Sequence, residues 1–183
     1  MYNMLLKCSL WKVARVFFDE PFKKHTLKDV SKKSGLAHTS VTKHLKVLRD
    51  SQVIVFITEI HGSRKFKHFM ANPQSNTYKL YKKYDIIERV YLSDLTHWLE
   101  RALTPTAIVL FGSSSRGEDD ESSDVDLFVQ TSSKNVFDAT PFEAKLKRNI
   151  QLHIKRDIKE YSKELQNNIL NGITLYGYVE AIK

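Results

Sequence analysis

The chain has 183 residues, 42% hydrophobic and 27% charged, which fits one globular domain or two small ones and excludes a disordered or membrane-embedded polypeptide. Its formal net charge is +8, and the whole excess lies early: residues 1–71 carry 14 lysines and arginines against five acids, residues 72–183 carry 15 against 16. No apolar run approaches the ~20 residues of a membrane span, no signal-peptide pattern opens the sequence, and a lone cysteine, Cys8, excludes an internal disulfide and a cysteine-based zinc site. A cytoplasmic protein with no membrane partner is the expectation, with Cys8 as a small core residue of the first helix.

Apolar residues at Leu6, Leu10, Val13, Phe17 and Phe18 predict a first helix from Leu5 to about Phe18, stopped by Pro21. A second helix starts at Thr26, where the hydroxyl caps the helix and Asp29, three residues on, completes a capping box. Leu27 and Val30 form its buried side, and Gly35 ends it in a left-handed cap. A third helix runs from about Thr39 to Asp50, with Val41, Leu45 and Leu48 on one apolar face. That geometry leaves His38, Thr39, Ser40, Thr42, Lys43 and Lys46 on its leading or solvent side. Short hydroxyls and cations there suit a helix that enters a major groove and meets base edges and phosphates.

The β-branched run Val53–Ile57 reads as a strand, His61–Arg64 as a turn, and residues 65–69 as a return strand. The two strands form a wing whose basic tip, Arg64 and Lys65, faces the phosphate backbone or minor groove of duplex DNA. Concentrated positive charge supplies the salt-sensitive part of such binding. On Leu27–Leu36 and Ser40–Leu48, residues 5–71 resemble the winged helix-turn-helix of MarR- and ArsR-type regulators. Gln52 stands where those families often have glycine before the wing, which should shift the local turn without removing the wing. The winged-helix DNA-binding domain is placed at 1–72.

Residues 73–104 read as a helical connector, one long helix or two shorter ones ended by Pro105, with Tyr84, Ile87, Tyr91, Leu95 and Trp98 at helical spacing. Such an aromatic stripe reads as core or dimer interface, and a homodimer would suit a palindromic operator.

From Ala107 to Phe111 an apolar run predicts a buried strand that ends at Gly112-Ser113. Ten residues then separate Ser113 from Asp124, and Val125–Val129 forms the next strand. Residues i and i+2 of a strand share a face, so Asp124 and Asp126 project two carboxylates side by side, which favours a bound hard cation. Mg2+ held by one or two carboxylates completes its shell with phosphate oxygens and water. Gly112 lets backbone approach a phosphate, Ser113 adds a hydroxyl, and a following helix start favours an anion. The acidic stretch Glu118–Glu121 between the motif halves reads as a solvated loop in preference to an extra metal-binding loop.

Gly112-Ser113, ten residues, then Asp124-Val125-Asp126 resembles the signature of the polymerase-beta-like nucleotidyltransferase superfamily, in particular its minimal members. Arg116-Gly117 matches the usual continuation, and the closing Gly172–Gly177 falls within the resemblance, which covers about 105–178. It implies a nucleotidyltransferase-like domain at 105–183, a small mixed sheet backed by helices. It implies also that Gly112, Ser113 and Arg116 bind a nucleoside triphosphate, and that Asp124 and Asp126 hold Mg2+ or Mn2+ as metal ligands and catalytic residues. Active members supply a third carboxylate from a later strand. Here that strand is 149–154, and the residue facing the site is Gln151 or His153, neither acidic. His153 is the candidate base; Asp138, Glu143 and Asp157 lie outside the strand.

The fold expected is α+β: winged helix, helical connector, nucleotidyltransferase fold. The leading function is a DNA-binding transcription regulator with a metal-dependent domain that binds or transfers a nucleotide. Two alternatives stand beside it: a catalytically inactive fold that senses nucleotide, and an antitoxin-like nucleotidyltransferase with a helical partner protein of the kind minimal members pair with.

Overall fold

A computed structural model of the chain describes residues 8–180, apart from the side chain at position 61. The sequence expectations at Leu5 and Leu6 lie outside the described residues. The fold is α+β and divides into two compact units, Met1–Lys82 and Lys83–Lys183.

In the described part of the first unit, α1 (Ser9–Asp19), α2 (Leu27–Ser34) and α3 (His38–Asp50) precede a hairpin of β1 (Ile54–His61) and β2 (Arg64–Ala71), a winged-helix-like order. Sequence chemistry sets the helix ends. Thr26 accepts from the Asp29 backbone N–H and Asp29 accepts from that of Thr26, so the capping box is complete. Gly35 closes α2 at φ +69°, where a side chain would be strained. Val13, Phe17 and Phe18 of α1 meet Val30 of α2, Val41, Leu45 and Leu48 of α3, and Phe69 of β2 in one core. Burying each large side chain of that set contributes about 1.5–3 kcal/mol.

Two expectations are corrected in this unit. Cys8 is exposed and precedes α1, because the helix begins at Ser9; it is not a core residue. Gln52 does not shift the turn before the wing. It adopts φ +60°, the left-handed conformation glycine would supply, and is held there by its N–H to the Arg49 carbonyl and by the Asn72 amide donating to its own carbonyl.

The helical segment after the hairpin comprises α4 (Asn76–Leu92) and α5 (Leu95–Leu103), separated at Asp94, where φ is +67°. The boundary between units falls inside α4. Tyr78 and Tyr81 join the first core, whereas Ile86, Val90, Leu95, Leu99 and Leu103 join the second. Of the apolar stripe read from the sequence, Leu95 is buried and Ile87 half-buried, while Tyr84 and Trp98 are about half exposed, 50% and 52%.

The second unit is built on β3 (Ala107–Phe111), β4 (Val125–Gln130), β5 (Ile150–Lys155) and β6 (Ile173–Gly177), in the spatial order β5-β4-β3-β6. The sheet is mixed: β4 and β5 are parallel and the other pairs antiparallel. Central β3 is buried at all five residues, which its unbroken apolar run requires. Ile108, Leu110, Leu127 and Val129 face the core that includes α4 and α5. Val109, Phe111 and Phe128 face a smaller core with Ile158 and with Ile169 of α8 (Lys163–Leu170). Between β3 and β4 lies the single turn α6 (Gly112–Arg116), and before β5 lies α7 (Thr140–Leu146). Among the described residues no helix is long and apolar enough to cross a membrane.

Candidate functional site

The motif residues meet at one end of the mixed sheet because of strand register. Phe111 pairs with Asp126 across β3 and β4, so the chain leaves β3 at Gly112 directly beside Asp126. Gly112 has φ +72°, and a β-carbon there would collide with Oδ2 of Asp126. The glycine thus makes room for the second carboxylate as well as for any ligand. Ser114, fully buried, donates its hydroxyl to the Asp124 carbonyl at 3.4 Å, and Ser115 donates to the Gly112 carbonyl at 2.8 Å. Ser114 thus ties α6 to the start of β4, and Ser115 braces the turn of α6 itself, roles the sequence did not disclose. Ser113 stays half-buried at the first turn of α6, where backbone N–H groups have no partner within the helix.

Parallel pairing of β4 with β5 sets Asp126 opposite Gln151 and Phe128 opposite His153. Both positions named from the sequence therefore reach the site face, each toward a different carboxylate. Gln151 donates its side-chain amide to Oδ2 of Asp124 at 2.6 Å, and Asn149 donates to Oδ1 at 3.1 Å. His153 holds Nε2 4.0 Å from Oδ1 of Asp126 and packs edge-on against Phe111 and Tyr161. Burial raises the Asp126 carboxyl above its ordinary range; the charge on Asp124 adds to this, while His153 and Arg116 oppose it. An electronegative, partly desolvated pair of this kind gains from a bound cation.

Asp138, Glu143 and Asp157 are all engaged elsewhere. Asp138 accepts from the Thr140 N–H, Glu143 from the Ile150 N–H and Asp157 from the Lys159 N–H. The acidic loop is not simply solvated, which corrects the sequence reading. Asp119 is buried against Arg148, Nη2 to Oδ2 3.2 Å, and Arg148 also donates to the carbonyls of Asp120 and Ser123. Asp120 caps Ser122 and Ser123. Arg148 and Asn149, adjacent in sequence, thus fix both the loop and Asp124. The one available signal was an arginine preceding the site strand in a domain whose motif halves are joined by acids. A polar cavity of about 330 Å3 opens beside Asp124, bordered by Ser123, Glu143 and Asn149.

Arg116, given a nucleotide-binding role from the resemblance, is exposed and donates from Nε to Glu118 at 3.0 Å. Among the described residues no three acidic, histidine or cysteine side chains gather at metal-holding spacing. The donors present are two carboxylates and the neighbouring amides. They fit one hard cation that takes most of its ligands from outside the chain, as Mg2+ does from phosphate and water. They do not fit a second ion that needs a third carboxylate.

In the first unit, His38, Thr39, Thr42, Lys43 and Lys46 are exposed along α3, with Ser40 half-buried and facing His44 Nε2 at 3.3 Å. Thr42 donates its hydroxyl to the His38 carbonyl at 2.8 Å and keeps its oxygen lone pairs for other donors. Arg64 and Lys65 are exposed at the start of β2. The fold therefore presents the predicted residues on α3 and at the wing.

Comparison with known proteins bears on the second unit. Residues 93–180 match the family described as "Polymerase beta, Nucleotidyltransferase". No curated protein and no solved structure matches the chain. The match takes in α5, the whole mixed sheet and every motif residue of the site. Residues 93–180 are a polymerase beta-like nucleotidyltransferase domain.

Proposed function

We propose that the protein is a DNA-binding transcription regulator whose nucleotidyltransferase domain binds a metal–nucleotide complex without transferring it. The family of that domain works with Mg2+ and nucleoside triphosphates. Here the backbone at Gly112, the Ser113 hydroxyl and the first turn of α6 would meet the phosphates, and Asp124 and Asp126 would hold the ion. When bound, the ion neutralises phosphate charge. The chain's own contribution is to hold two carboxylates on one strand face and to admit the ligand past a residue without a side chain.

The observation that carries the binding-only reading is the hydrogen bond of Gln151 to Asp124. A neutral amide stands on β5 where the resemblance leads one to look for a third carboxylate. On the same face of β5, His153 sits 4.0 Å from Asp126, and Lys155 pairs with Glu160. β5 itself supplies no acid to that face. Nucleotide retention needs the first two carboxylates; turnover needs the missing one.

DNA binding rests on the positive charge of residues 1–71 together with the exposed hydroxyls and cations of α3 and the wing. Two-fold pairing of copies through Tyr84 and Trp98 belongs to the same proposal. The test is fluorescence anisotropy with duplex DNA over a salt series, for the native chain and for Lys43→Ala/Lys46→Ala. Each phosphate contact contributes about 0.9 to the slope of log K against log salt. The double variant should bind more weakly and lose about 1.8 from the slope. An unchanged slope would place the DNA contacts elsewhere, and no DNA binding by the native chain would overturn the regulator reading.

A further inference from the structure

The segment joining α1 to α2 meets the hairpin at His25. The His25 N–H donates to the Phe69 carbonyl, and the His25 carbonyl accepts from the Phe69 N–H, each at 2.8 Å. Two backbone hydrogen bonds thus tie β2 to that segment. The imidazole is fully buried and lies edge-on to Phe17 of α1, ring centroids 5.4 Å apart. Neither ring nitrogen has a hydrogen bond of good geometry, although Nε2 lies 3.3 Å from Oε2 of Glu20. A buried polar group in that condition costs stability and calls for a reason.

The charges around the ring supply one. Glu20 is already shared by two ammonium groups, Lys33 of α2 and Lys23 of the same segment, the latter at 3.3 Å. Asp29 of α2, which also feels the charge on the ring, is committed to the N–H and hydroxyl of Thr26. On β2, His68 faces Glu59, which also holds Lys24. A proton on His25 therefore adds a third cation to one carboxylate, at a place with no exposed surface, where an uncompensated charge is costly. Burial accordingly holds the imidazole below its ordinary value of 6.5; Glu20 opposes this and both lysines add to it. We propose that His25 is an acid-released latch on the wing: it stays docked while neutral, leaves its place on taking up a proton, and opens the bridge to Phe69. This inference goes beyond the DNA-binding reading and does not require it; under that reading, release of the wing lowers affinity for DNA.

Amide hydrogen exchange of the full chain, read by mass spectrometry and corrected for the intrinsic effect of pH on exchange, tests it. An undocked His25 takes up a proton near the ordinary value and the docked ring resists it, so opening becomes about tenfold easier at about pH 5.5 than at about pH 7.5. Peptides spanning residues 22–27 and 64–71 should lose protection by about that factor. His25→Phe keeps a buried ring that takes no proton and should show no such loss. Lys33 is exposed on α2, so Lys33→Met leaves the core intact; it returns Glu20 to His25, and its loss of protection should be smaller than the native one. His68→Gln should keep the native response, which separates His25 from the histidine on β2. Unchanged protection of the native chain in acid would overturn the proposal. So would a loss as large in Lys33→Met or in a folded His25→Phe variant, or a loss abolished by His68→Gln.

Discussion

Gln151→Glu places a carboxylate oxygen where the structure has an amide donor 2.6 Å from Asp124. Two costs follow in the ion-free protein. The hydrogen bond to a charged acceptor is lost, worth about 1.5–3 kcal/mol in general. Two like charges also come together, and at 4 Å these repel by about 1 kcal/mol in bulk water and about 4 kcal/mol near a protein surface. Gln151 is exposed, so solvent screens both effects and the lower ends apply, giving a combined loss of about 1–3 kcal/mol. For a unit of 101 residues, at about 4–8 °C per kcal/mol, the melting temperature in EDTA falls by roughly 4–24 °C. Added Mg2+ should reverse most of this, because a ligand that binds only the folded state stabilises it by about 2.7 kcal/mol at a hundred times its Kd. Differential scanning calorimetry in EDTA and over a Mg2+ series reads both effects. A variant as stable as the native chain in EDTA, or one whose response to Mg2+ matches the native response, would refute the placement of Gln151 as the neutral occupant of a carboxylate position.

Other consequences can be checked separately. Gln52→Gly relieves a left-handed backbone that costs a side-chain-bearing residue about 1–2 kcal/mol, offset by about 0.5–1 kcal/mol of added chain entropy in the unfolded state; the urea midpoint should rise slightly, and a fall would show that the Gln52 side chain itself stabilises the turn. His25 is buried in the first unit, and burial holds its imidazole below the ordinary value, with Glu20 opposing the shift and Lys33 and Lys23 adding to it. The unfolded chain therefore takes up the proton first, so stability contributed at this site is present above about pH 6.5 and is lost as the pH falls below it. The urea midpoint of the native chain should drop between pH 7 and pH 5 by more than that of His25→Phe; equal pH dependence in both would remove His25 from the account. Gly112→Ala should weaken Mg2+–nucleotide binding more than it lowers stability, since the added methyl group collides with the Asp126 carboxylate and not with core backbone; a variant that melts early but binds as tightly would reverse that assignment.

Local chemistry was legible where one stretch of sequence decides the outcome. The capping box at Thr26 and Asp29, the left-handed Gly35 and the buried run Ala107–Phe111 each depend on residues close together. The pairing of Gly112-Ser113 with Asp124 and Asp126 was readable because two apolar strands flank it and a two-residue spacing sets a common face. Which of Gln151 and His153 meets which carboxylate was not readable, because it depends on the parallel register of β4 and β5, fixed by long-range pairing. Asp119 shows the same limit. Its burial is supported by Arg148, distant in sequence, and a run of acids gives no sign of which member is neutralised. Gln52 was misread for the opposite reason. The residue type argues for a shifted turn, yet hydrogen bonds from Asn72 and to Arg49 hold the backbone as glycine would. Cys8 was assigned to a core because the helix was begun too early.

Isothermal titration of the full chain with ATP in the presence of Mg2+, beside the Asp124→Asn/Asp126→Asn variant, tests the central claim most directly. The account predicts saturable binding to the native chain that requires Mg2+ and disappears in the folded variant. Binding that survives in the variant, or a native chain that binds none of the common nucleoside triphosphates, would contradict a metal–nucleotide site at Gly112, Ser113, Asp124 and Asp126.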